Sequence, residues 1–298
     1  MIARTVSGAP TYVPGEGSRL TVAPDGSMAA IVEPARIVLV DLPGGAPFVD
    51  LDGDRSATGM EVAWIGTPPR LLVLARFADH TRVALVDPHQ AHGPQGPVMV
   101  AELRLEALMS LGASAGSRAL ATGARGAIVL AATPTHLTQA ALPIRTRPLA
   151  SGAAGSHVML ALESSIDEWD LQTRLPRRRL RLPRAAVSTA VGGSDRVVWS
   201  TTQQDPARID VMPLLNRGQP KVHELPEPIG HISGHPRSDV LACVGATTGR
   251  IYVVDLDGRT AMRVIAPEGL GHRPVVGLVV GRGLGLLVAG AGRPLVFV

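Results

Sequence analysis

One short phrase returns along this chain at near-even intervals, and it limits the fold more than any other feature. It reads Arg36-Ile-Val-Leu-Val-Asp-Leu42, then Arg82-Val-Ala-Leu-Val-Asp-Pro88. Looser copies follow at Ala127-Ile-Val-Leu130, Ser165-Ile-Asp-Glu-Trp-Asp-Leu171 and Arg208-Ile-Asp-Val-Met-Pro-Leu214. It recurs as Arg250-Ile-Tyr-Val-Val-Asp-Leu256 and ends the chain as Arg293-Pro-Leu-Val-Phe-Val298. The second residues of the copies fall at 37, 83, 128, 166, 209, 251 and 294, a step of 38 to 46 residues. That step holds four short strands with their turns. Such units repeat radially, because one alone cannot bury its apolar faces.

The clearest unit fills 229–265. Ile229 to Ser233 reads as an inner strand and Val240 to Val244 as a second. Thr247-Thr-Gly249 turns into the third strand, Asp257-Gly258 marks a hairpin turn, and Ala261 to Ile265 alternates as an outer strand. The pattern predicts an all-β, seven-bladed β-propeller of four-stranded antiparallel blades. The blades lie near 20–51, 61–103, 107–142, 149–182, 186–225, 229–265 and 275–298, in a single domain over 1–298. The last unit supplies only three strands, so residues 2–13 are expected to add the fourth and close the ring, which removes an open sheet edge. The segment from Leu103 to Leu108 reads as a short helical connector.

Composition agrees with a sheet protein. Hydrophobic residues make up 45% of the chain and aromatics 3%, so Val, Ile, Leu and Ala must build the core. The 33 Gly and 25 Pro supply turns. The net charge is +4, and Lys221 is the one lysine among 29 basic residues, so cationic contacts fall to Arg, whose fork binds carboxylates in bidentate fashion. A single cysteine, Cys243, excludes an intramolecular disulfide and sits in an apolar run that reads as core. The first residues lack the apolar run of a signal peptide, and no apolar stretch is long enough to span a bilayer. A soluble, cytoplasmic protein without membrane contact is expected.

The phrases resemble WD40-type repeats and, more loosely, YVTN-type bacterial propeller repeats. Trp169-Asp170 ends the third strand of its unit, and Val-Asp fills the same place at Asp41, Asp87 and Asp255. Gly234-His235 and Gly271-His272 accompany inner strands. The likeness runs the whole chain with few of the signature pairs, and Thr247-Thr-Gly249 stands where WD40 proteins place an Asp. It implies a rigid scaffold that binds proteins on its faces. Bacterial propellers of this kind also occur beside MoxR-type ATPases and von Willebrand A proteins, which suggests a multi-protein system with an ATPase.

Two arginine features are the candidate binding sites. Arg36, Arg82, Arg208, Arg250 and Arg293 open the third strands, and Ala127 and Ser165 leave a gap. In a ring these five would form a partial basic crown suited to an acidic partner. A second cluster, Arg174 to Arg184, holds Arg177, Arg178, Arg179 and Arg181 on a segment that reads as an outer strand. It fits edge protection, or docking of an acidic protein or nucleic acid. No aromatics interleave, so nucleic acid is not the expected partner.

Other patterns are weaker. Asp50, Asp52, Asp54, Ser56, Thr58 and Glu61 match the ligand spacing of a calcium loop, yet Arg55 stands where the turn needs Gly, so no metal is expected. His231 and His235 are four apart on a strand and turn, a spacing that does not align two ligands, and His89 and His92 fall in a loop. There is no G-x-S-x-G, phosphate loop, H-E-x-x-H or C-x-x-C, and no cofactor is expected. The sequence therefore favours a non-enzymatic interaction scaffold. The alternative is a hydrolase- or lactonase-like propeller enzyme, or a small-ligand binder, using the central channel. The residues lining that channel discriminate between them.

Overall fold

A computed structural model describes residues 2–5, 11–15, 17–42, 44–53, 56–92, 98–124, 126–144, 148, 150–154, 157–162, 165–181, 188–192, 196–201, 205–213, 221–234, 238–258, 262–265, 275–280, 284–289 and 296–297. The first sheet holds β1 (Ile2–Thr5), β2 (Arg19–Val22), β3 (Met28–Val32), β4 (Arg36–Asp41) and β5 (Pro47–Asp52). The second holds β6 (Gly59–Ile65), β7 (Arg70–Arg76), β8 (Thr81–Asp87) and β9 (Val98–Leu105), and the third β10 (Met109–Ala115), β11 (Arg118–Gly123), β12 (Gly126–Ala132) and β13 (Leu137–Leu142). The fourth comprises β14 (Ala150–Ala154), β15 (His157–Ala161), β16 (Ser165–Asp170) and β17 (Leu175–Arg181), and the fifth β18 (Ser188–Gly192), β19 (Arg196–Thr201), β20 (Asp205–Pro213) and β21 (Lys221–Glu224). The sixth comprises β22 (Ile229–Ser233), β23 (Val240–Gly245), β24 (Ile251–Asp255) and β25 (Arg263–Ile265). The last sheet has β26 (Val275–Val280), β27 (Leu284–Ala289) and β28 (Val296–Phe297).

The propeller class holds, but the expected seven four-stranded blades closed by an N-terminal strand do not. Five four-stranded blades form, between a five-stranded first sheet and a three-stranded last one. The N-terminal strand does not join the last sheet. β1 pairs antiparallel with β5, from Ile2 opposite Asp52 to Thr5 opposite Val49. Packing closes the ring instead: successive inner strands lie side by side and β26 returns to β2. Ala29, Ile31, Val38 and Val40 of the first sheet bury against Leu287 and Ala289 of the last. The helical connector also fails, because β9 runs as strand to Leu105. A 3-10 turn forms elsewhere, at Pro88–His92.

The repeated phrase has a packing cause. A third strand is covered on both sides, so its residues need not alternate apolar with polar. Ile37 and Leu39 enter the core shared with the second sheet, while Val38 and Val40 enter the core shared with the last. β24 repeats this, with Tyr252 and Val254 toward the fifth sheet and Ile251 toward the last. Burial of each such side chain contributes about 1.5–3 kcal/mol. The Asp that closes the phrase is a turn former. Asp87, Asp170 and Asp255 accept the backbone N–H groups of His89, Gln172 and Asp257 at 2.7–3.0 Å, which fixes the exit of the third strand. Cys243 lies on β23 as expected, fully buried, and burial pushes its thiol up to about 12.

Candidate interaction surfaces

Three of the crown arginines are held within their own sheets. Arg36, on β4, donates to Glu33 at 2.8 Å and to the Tyr12 hydroxyl at 2.8 Å, and lies 3.6 Å from Asp50. Arg82 stacks its guanidinium 5.0 Å from the Phe77 ring centre and lies 3.9 Å from Glu102. Arg208 grips the buried Asp210 at 2.7 Å. Its place differs from expectation, since β20 begins three residues earlier at Asp205. Arg250 is exposed, just before β24, with no ion pair among the described residues. Arg293 lies outside the described residues. Among the described residues, Arg36, Arg82 and Arg208 thus each have a carboxylate partner close by in sequence or in the same sheet.

The second cluster is continuous. β17 carries Arg177, Arg178, Arg179 and Arg181 as the outermost strand of its sheet, and six of its seven residues are exposed. Arg179 binds Asp167 with two nitrogens at 2.8 and 2.7 Å; Asp167 is 1% exposed and also accepts from Ser165. The Asp167 hydrogen bond and charge hold the Arg179 guanidinium above its ordinary range. Arg178 lies 3.9 Å from Glu168, and Arg177 meets His157 at 2.6 Å. Arg181 has no ion pair among the described residues.

Inner strands β2, β6, β10 and β22 frame one mouth of the central channel, a cavity of about 800 Å³. Leu20, Thr21, Val62 and Leu111 line it together with Arg19, Glu61, Ser110 and His231. Glu61 is engaged: the Leu111 N–H donates to it at 2.5 Å and Arg76 lies 3.3 Å away. Arg19 donates to the Met60 carbonyl. A second cavity of about 610 Å³ is lined by small groups such as Ala63, Gly112, Ala113, Ser114 and Gly152. Among the described residues no group of three His, Cys, Asp or Glu could hold a metal. The calcium-like spacing is dispersed: Asp50 and Asp52 lie in β5 and Glu61 in β6, while Asp54 and Arg55 are outside the described residues. His231 stands exposed on β22, and His235 is likewise outside them.

The sequence reading passed over one acid. Glu227, 8% exposed, precedes β22 and reaches the turn between β23 and β24. Its carboxylate accepts the N–H groups of Thr247 and Thr248 at 2.9 and 2.8 Å, the Tyr252 hydroxyl at 2.6 Å, and the Thr248 hydroxyl. Burial pushes its carboxyl up, but donation from Thr248, Tyr252 and the two amides outweighs that and holds it at about 2. Glu33 makes the reverse connection in the first sheet, from the turn between β3 and β4 to Tyr12 and the Gly15 N–H. The available signals were the placement of Glu227 between Pro226 and Pro228, and Tyr252 in an otherwise aliphatic phrase.

No protein-family model matches the chain, and no curated protein sequence matches it. Solved structures do. The β-propeller domain of Myceliophteria thermophila Cps50 (Swd1) is similar over 98% of both chains, at 15% identity and a TM-score of 0.70. A Kuenenia stuttgartiensis hydrazine synthase chain is similar over 98% of both, at 14% identity and 0.68. A chain of the mitotic checkpoint complex is similar over 99% of this chain and 90% of its own, at 12% identity and 0.67. At these identities the likeness establishes the fold alone: this chain is a β-propeller.

Proposed function

We propose that the chain is a non-enzymatic scaffold, one propeller domain over 1–298, that binds protein partners with acidic surfaces in the cytoplasm. The observation that carries this reading is the channel wall. Among the described residues the mouth brings together one acid and one histidine, and the acid is already engaged by Leu111 and Arg76. The outer surface, by contrast, presents arginines. A structural neighbour taken from the mitotic checkpoint complex lends support. The finer reading, a YVTN-like bacterial propeller working beside an ATPase, predicts an ATPase among the partners.

Affinity capture from native cytosol with mass spectrometry, followed by binding of the recovered partner, tests the proposal. Arg208 is unsuited to substitution because Asp210 depends on it, so Arg82, Arg250 and Arg293 are replaced together by Ser. Exposed pairs contribute about 0–1 kcal/mol each, so the triple variant should lose about five- to tenfold in affinity if the crown is used. Added salt should weaken the wild type. Loss confined to Arg177→Ser/Arg181→Ser would place the contact on β17. Retention by both variants, with no salt dependence, would overturn the acidic-partner reading.

The volume of the channel mouth, about 800 Å³ beside Arg19, Glu61 and His231, favours a second reading as a hydrolase- or lactonase-like enzyme or small-ligand binder. Turnover of a lactone or ester panel, lost on His231→Ala, would establish it in place of the scaffold.

A further inference from the structure

We propose that β17 is a docking edge that takes a fifth strand from an extended acidic segment of a protein partner. The inference rests on the scaffold reading above and adds the place and mode of contact.

The fold already accepts such a strand. Among the described residues no strand pairs beyond β17 in its sheet, and an outermost strand carries a row of N–H and C=O groups able to pair with another chain. In the first sheet β1 uses that row, pairing antiparallel with β5. The rim of this propeller therefore has room for an added strand. β5, the strand that accepts β1, carries Asp50 and Asp52. β17 inverts the signs. It carries Arg177, Arg178, Arg179 and Arg181 and no acid. The other outer strands differ. β9 mixes Glu102 with Arg104, β13 has no charge, β21 has Lys221 and Glu224, and β25 has a single arginine, Arg263.

The side chains suit the role. Arg179 is 64% exposed although two of its nitrogens hold Asp167, so its guanidinium is oriented before any partner arrives. A pre-oriented fork loses less freedom on binding. Ser165 and Asp167 of β16 stand opposite Arg181 and Arg179, which places both arginines on one face of the sheet. An incoming strand with Glu or Asp at every second residue would set its carboxylates along that face. Main-chain bonds would supply affinity and the alternating acids selectivity. Leu175, 59% exposed, offers an apolar contact at one end. Edge protection is the same physics seen from the other side. The arginines repel a second copy of β17 and leave acidic strands as the complementary ones.

The test uses the full chain and a labelled eight-residue peptide of alternating Glu and Val, read by fluorescence anisotropy at low salt. Saturable binding is expected. N-methylation of alternate peptide amides, which blocks strand pairing but leaves the charges, should weaken it at least tenfold, and Lys in place of Glu should abolish it. Arg181→Ser should weaken it about threefold and Arg181→Glu at least tenfold, with circular-dichroism melting to confirm folding. Absence of saturable binding, full affinity for the N-methylated peptide, or full affinity of the folded variants would each overturn strand docking. A native partner that binds the scaffold without competing with the peptide would refute β17 docking and leave the scaffold reading standing. Peptide binding at β17 with no native partner recovered would do the reverse.

Discussion

Glu227→Ala is expected to destabilise the protein by about 2–3 kcal/mol at pH 7, because it strips two backbone amides and the buried Tyr252 hydroxyl of their acceptor. For a chain of this size that corresponds to about 3–5 °C in Tm. Glu227→Gln should cost less. Its amide oxygen can face the Thr247 and Thr248 N–H groups while its NH2 donates to the two hydroxyls, which can rotate to accept. The pH dependence separates charge from shape. The folded carboxyl is held at about 2, below its ordinary 4.5. Its contribution is therefore fully present above the unfolded pKa and is lost as pH falls through the folded one. Urea unfolding of wild type and Glu227→Gln at pH 7 and pH 3 measures this. The gap between them should narrow on acidification. An unchanged gap, or Glu227→Ala as stable as wild type, would mean that the carboxylate does not hold this turn.

That connection explains what the sequence could and could not convey. The repeat was legible because third strands such as β4 and β8 are buried on both faces, which forces four apolar residues in a row at Ile37–Val40 and again at Val83–Val86. The period and the closing Asp then marked strand and turn. Long-range pairing was not legible. Among the described residues the last sheet has three strands, so β1 could extend either it or β5, and short-range pattern does not say which. The structure gives it to β5. Recurrence likewise does not announce the local partners of the arginines that open the phrases. Glu33, Glu102 and Asp210 neutralise three of these arginines, and only Asp210 lies within the repeated phrase. Glu227 was hidden for a related reason. Its partners Thr247, Thr248 and Tyr252 lie some twenty residues on, across a turn whose geometry no local motif announces. Function was the least legible of all, since a propeller fixes a set of surfaces and leaves the chemistry to their side chains.

The seam between the first and last sheets carries the other large effect. Ring closure here depends on packing between β26 and β2, and Gly277 on β26 is in tight contact with β2. A Cβ at that position would lie 2.7 Å from Val22 Cγ2 and 3.5 Å from Leu20 Cδ2. Val22 is β-branched and stiff at χ1, so it cannot swing clear cheaply. Gly277→Val is expected to cost about 2–3 kcal/mol through overpacking, and Gly277→Ala about half that. If the clash is the cause, removing its other half should relieve it. Val22→Ala alone creates a small void, but Gly277→Ala/Val22→Ala should be clearly more stable than the sum of the single losses, since contacting residues couple by about 0.5–3 kcal/mol. Urea denaturation of the four proteins completes the cycle. Strict additivity would show that Val22 and Gly277 do not meet, and with it that the first and last sheets are not joined along β2 and β26. A coupling of the expected sign would identify this contact, between the two ends of the repeat array, as what replaces the shared strand in closing the ring.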